Sequence, residues 1–153
     1  MDMGIPLIRA ISTICEGVCT VVHLHKQLPP PFVEEIRQAL SLACTIHFKQ
    51  AVQWCLFLLI SYEGEDNRVK AIRRWKSLLG LIEDVNELVC LVKKQLYVLG
   101  ECSLGDFVEC CIQKECFVLA IQTIQSAYDI PSESEREVLL NKVVTVQKSV
   151  IEV

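Results

Sequence analysis

Leu78-Leu-Gly-Leu-Ile-Glu-Asp-Val-Asn-Glu-Leu-Val-Cys-Leu-Val-Lys-Lys-Gln-Leu-Tyr-Val-Leu99 decides how this chain is read. Within it, Leu78, Ile82, Val85, Val89, Val92, Leu96 and Leu99 recur at strictly alternating steps of four and three. Apolar residues at that spacing gather on one face of an α-helix, which turns once every 3.6 residues. Leu81, Leu88, Leu91 and Val98 add a second apolar side. The pattern predicts one long helix, opened by a cap at Asp66 or Asn67 and closed by Gly100, a glycine where a helix C-terminus favours one. Gly80 is a mild weakness inside it, worth about 1 kcal/mol against alanine. A helix apolar on two sides belongs inside a bundle, so this third helix is expected at the centre.

Working outward, four more helices are expected. The first covers about residues 5–27, with Ile8, Ile11, Cys15, Val18 and Val22 on one stripe, and Pro29-Pro30-Pro31 stops it for want of backbone donors. The second starts at Pro31, carries Glu34 and Glu35 in its first turns, and runs to Tyr62, with His47–Gln50 as the place for a kink if one forms. The fourth opens at Ser103, whose side chain can cap the turn at Asp106, and runs to Tyr128. The fifth follows Pro131, with Ser132 and Glu135 or Ser134 and Glu137 as a capping pair. The expected fold is therefore all-α: a compact bundle of about five helices, or a short α-solenoid-like stack. Residues 1–153 form one expected domain, read as a fragment of a larger protein because the last helix reaches Val153 without a stop signal.

Composition narrows the classes of function. Hydrophobic residues make up 52% of the chain and charged ones 22%, so a real core can form and disorder is excluded. The net charge of −4 argues against a nucleic-acid surface, which carries a basic excess. No charge-free apolar run approaches the ~18 residues of a membrane-spanning helix, so no span is expected. The nine cysteines fall mostly on apolar helical faces, where a free thiol behaves as a small hydrophobe. That placement points to reduced thiols and an intracellular setting, cytoplasm or nucleus.

Chemistry-bearing motifs are scarce. Cys15, Cys19 and His23 sit four residues apart on one helix, but the outer two are separated by about 12 Å along the axis, too far to share one zinc ion. No metal and no cofactor is expected. Cys110, Cys111 and Cys116 cluster without a histidine nearby in sequence, and phosphate loops and nucleophile elbows are absent, so the chain is not read as an enzyme. Arg68, Lys70, Arg73, Arg74 and Lys76, with Trp75 among them, stand out because cations are disfavoured near a helix N-terminus. They are the candidate docking patch for an acidic segment, set against a plain solvated face paired with Glu63, Glu65 and Asp66. Phe57, Leu91 and Val98 are the candidate members of an exposed apolar patch, because five helices cannot enclose two doubly apolar ones. The expected function is a non-catalytic protein–protein interaction module, a scaffold or adaptor, whose partner is another protein or a second copy of the chain. The alternative is a helical bundle enclosing a small apolar ligand or lipid.

Overall fold

A computed structural model describes residues 4–63 and 67–151. All regular secondary structure among them is helical. Eight α-helices replace the five expected: α1 Gly4–Val18, α2 Pro30–Thr45, α3 Lys49–Glu63, α4 Arg68–Leu79, α5 Asn86–Val98, α6 Leu104–Gln113, α7 Phe117–Ser126 and α8 Glu133–Ile151. A π-helical turn, Cys19–His23, extends α1. The chain divides into two packed units, Met1–Asp84 and Val85–Val153.

The expected caps are in place where the residues are described. Asn67 accepts the backbone N–H groups of Val69 and Lys70 at the start of α4. Ser103 accepts from Asp106 N at the start of α6, and Ser132 accepts from Glu135 N at the start of α8. Gly100 closes α5 in the left-handed conformation, φ 79°. Asp66 and Glu65 lie outside the described residues.

Two of the three extra boundaries have one physical cause. His47 (φ 56°) and Glu115 (φ 61°) also take the left-handed conformation. After His47, Phe48 N donates back to Ala43 O at 2.9 Å; after Glu115, Cys116 N donates to Cys111 O at 2.8 Å. Gly100 is followed by the same bond, Glu101 N to Leu96 O at 2.8 Å. Each bond spans five residues and satisfies a carbonyl that the helix end would otherwise leave open. The expected second and fourth helices are thus each a pair of helices joined by a tight turn. His25 (φ 54°) closes the π-helical turn in a related way, with Lys26 N donating to Thr20 O.

The central third helix does not form. It is interrupted at 80–85, a turn that starts at Gly80, and Val85 is extended ahead of α5. Gln53 Nε2 on α3 donates to the freed carbonyl of Leu81 at 3.1 Å, and Lys49 pairs with Asp84. The 4-3 repeat is real in sequence, but its residues divide between the two units. Leu78 and Ile82 are buried in the first unit, and Leu88, Val92 and Leu96 in the second.

In the first unit, α1 packs on α2 and α3, and α3 on α4. Ala10, Thr13, Ile14 and Gly17 form the inner face of α1. At Gly17 a Cβ would lie 2.8 Å from Leu58 Cδ1 and 3.4 Å from Phe32 Cε1, so the close approach needs glycine or a shifted Leu58. Phe57 meets Trp54 and Trp75 edge to face, with ring centroids at 6.1 and 5.6 Å. In the second unit Phe107, Val108, Cys111, Ala120, Ile124 and Val143 are fully buried. Arg136 on α8 fastens the end of α7. Its guanidinium donates to Ile124 O (2.5 Å), Gln125 O (3.2 Å) and Ala127 O (2.8 Å), and a cation suits that end of the helix dipole.

A left-handed non-glycine residue costs roughly 1–2 kcal/mol, partly offset by the chain entropy that glycine would forfeit on folding. His47→Gly and Glu115→Gly should therefore each stabilise the protein by up to about 1 kcal/mol, raising the melting temperature a few degrees. A continuous helix at either position would lose about 1 kcal/mol on the same change. A fall in melting temperature for either variant would refute the turn there.

Candidate functional site

The outward side of α1 is the least covered apolar surface of the first unit. Ile5 and Ile8 are each 69% exposed, and Ile11 and Leu24 are also exposed. The helix Gly4–His23, 20 residues long, is long and apolar enough by length and composition to cross a membrane; its most apolar 18-residue stretch has a mean hydropathy of 1.6, and 22% of that stretch is buried. The expectation of no span counted charge-free runs, and this helix passes while holding Arg9 and Glu16.

Between α1 and the start of α3 lies an open groove of ≈ 580 Å³. Ile11, Ile14 and Val18 form one wall with Cys15 and Cys19; Phe48, Ala51 and Trp54 form the other. His23 and Gln50 are the polar side chains along it. Gln50 and Ala51 belong to the first turn of α3, whose N–H groups carry the positive end of the helix dipole, and that turn contains no acid. The sequence motif Cys15, Cys19 and His23 thus lines one groove. Among the described residues, no group of three histidine, cysteine or acidic side chains is placed to hold a metal ion.

The candidate residues of the basic run share α4 but not one face. At about 100° per residue, Arg68, Lys70, Arg73, Arg74 and Lys76 spread over roughly 240° of its circumference. Ala71, Trp75 and Leu78 fill the buried remainder. Trp75, expected within the patch, is 8% exposed and packs on Phe57. Arg74 is ion-paired with Glu63 at 2.9 Å. The apolar candidates also divide. Phe57 (2% exposed) and Leu91 (7%) are core residues, while Val98 is 58% exposed. Phe57 is not part of a surface patch because Trp54 and Trp75 pack edge to face against its ring.

All nine cysteines are free thiols. Burial, reinforced by Cys44, pushes Cys55 up to about 12. Cys90, Cys110 and Cys116 belong to one packed region of the second unit. At Cys90 the Cys110 contact pulls downward, but the Cys111 contact, burial and the Cys116 contact together raise the thiol above its usual value. The Cys90 contact and burial raise Cys110, and burial raises Cys102 and Cys116. A thiol held protonated is a poor nucleophile and a poor metal ligand.

Compared with family models, characterised proteins and solved structures, the chain matches none.

On this arrangement, iodoacetamide should label Cys15, Cys19 and Cys44 in the native protein at neutral pH, while Cys55, Cys90 and Cys111 react only after unfolding. The melting temperature should be the same with and without reductant. Fast native labelling of Cys90, or a drop of several degrees on reduction, would contradict the placement of these thiols.

Proposed function

We propose that this chain is a non-catalytic helical interaction module that docks another protein through the outward side of α1. One observation carries the reading: an apolar helix of 20 residues lies largely uncovered along its own unit. Water in contact with Ile5, Ile8 and Ile11 costs roughly 25 cal/mol per Å² of apolar area, and a partner that covers them recovers that free energy. Thiols raised above their usual value in both units, Cys55 and Cys110 among them, favour binding over catalysis. The cations of α4 contribute less to the reading than their clustering in sequence suggested. They surround the helix rather than form a face, and surface pairs such as Arg74–Glu63 are worth only about 0–1 kcal/mol.

The test is a doubly charged face. Ile5→Glu with Ile8→Glu places two carboxylates on solvent-exposed positions, so the melting temperature should change by no more than a degree or two. Proteins that co-purify with the unaltered chain should be lost from the variant, as read by quantitative mass spectrometry. Recovery of the same partners in the same amounts would remove α1 from the docking surface. A strictly monomeric chain with no partner and no apolar dye binding would remove the module reading altogether.

A further inference from the structure

Two thiols at the first helix are exposed, yet they belong to an apolar surface. Cys15 and Cys19 stand one turn apart, and both line the open groove between α1 and α3. Ile11, Ile14 and Val18 run beside them, and Phe48, Ala51 and Trp54 form the facing wall. Cys44, on α2, is equally open to solvent and does not line the groove.

Accessible thiols set among apolar walls narrow the occupant. The groove's ≈ 580 Å³ falls within the roughly 300–1,000 Å³ usual for small-ligand sites. A peptide laid along the walls would bring one N–H and one C=O per residue against side chains that cannot pair them. A hydrocarbon chain has no such groups and gains from burial along its length. Ile11 and Cys19 are eight residues apart, about 12 Å along a helix at 1.5 Å per residue. That wall covers roughly nine carbons of an extended chain, whose bonds of ~1.5 Å each advance about 1.3 Å.

A hydrocarbon bound there carries its head group to the thiols and the open side. Where the head is a thioester, its carbonyl carbon is held beside a nucleophile, and such proximity speeds a bimolecular step by orders of magnitude. The transfer balances without an oxidant. The cysteine thiolate attacks the acyl carbonyl, the bond from that carbon to the sulfur of coenzyme A breaks, and the departing thiolate takes up the proton the cysteine gave away. One thioester is consumed and one is formed. Cysteine on an amphipathic helix is a common acceptor of such groups.

We propose that Cys15 and Cys19 form an S-acylation site, which takes a long-chain acyl group from an acyl-coenzyme A and lays its hydrocarbon chain in the groove between Ile11 and Trp54. The site does not depend on the docking reading of α1, since Ile5 and Ile8 do not line the groove.

The experiment incubates the full chain with decanoyl-coenzyme A or acetyl-coenzyme A at neutral pH and follows intact mass, with peptide mapping to locate the group. One decanoyl group per chain should appear on Cys15 or Cys19, at least about tenfold faster than on Cys44, and hydroxylamine should remove it. Acetyl-coenzyme A, too short to use the walls, should modify all three thiols at similar rates. Ile11 lines the groove and is 41% exposed, so Ile11→Glu should keep the parent's melting temperature within a degree or two. It should bring decanoylation of Cys15 and Cys19 down to the rate at Cys44. Cys15→Ser with Cys19→Ser should lose the fast modification. Each serine hydroxyl can bond to the carbonyl one turn back, so the helix is kept. Ile5→Glu with Ile8→Glu should be decanoylated at the parent rate. Decanoyl groups spread evenly over Cys15, Cys19 and Cys44, the same site preference with acetyl-coenzyme A, an undiminished rate in Ile11→Glu, or no thioester at all would overturn the proposal.

Discussion

One kind of backbone bond, closed across a left-handed residue, sets three of the turns between the described helices. At His47, Gly100 and Glu115 the following N–H reaches five residues back and captures a carbonyl of the last helical turn. Each capture ends one helix and aims the next, and the start of α3, which forms one end of the groove, follows directly from the turn at His47. If the residue at 47 continued the helix, Phe48 and Gln50 would advance along the axis of α2, and α3 could not pack against α1. The conformational penalty at each non-glycine turn is a kilocalorie or two, and it persists because the packed helices on both sides fix it.

That device also explains which boundaries could be read in advance. Asn67, Ser103, Ser132 and Gly100 are residues whose side chain, or lack of one, is chemically suited to a helix end, and all four lie at ends. Histidine and glutamate carry no such signal. At positions 47 and 115 the residue type does not announce the turn, and Ser41, Thr45, Lys49 and Gln53 keep helical spacing across His47. The two halves, α2 and α3, preserve each other's periodicity because each needs an apolar stripe of the same width.

The 4-3 repeat from Leu78 to Leu99 failed differently. Periodicity reports that residues are buried on a helical face, and they are: Leu78, Ile82, Leu88, Val92 and Leu96 are all inside. It does not report that they lie on one helix, and they do not. Ile82 reaches its core from the turn itself, where no helix exists, while Gln53 and Lys49 on α3 hold the two ends of that turn. Those contacts join residues about thirty positions apart, beyond the range of any local pattern. The groove was opaque for the same reason: Cys15, Cys19 and His23 stood out as a set, but nothing local pairs them with Phe48 and Trp54.

The cysteines show how an unusual composition can be structural. Where a thiol packs among other thiols and apolar groups, as at Cys90 and Cys110, ionisation would place a charge in poorly solvated surroundings, and Lys93 and Lys114 offset only part of that cost at Cys110. Cys55 meets the same penalty in the other unit. The thiols with freer access, Cys15 and Cys19, line the groove, where sulfur offers a polarizable surface without a hydrogen bond that would need satisfying. Both are exposed, so a serine hydroxyl at either position would be satisfied by water or by a carbonyl one turn back, as Thr20 is by Glu16 O at 2.9 Å, and what cysteine adds there is apolar contact area.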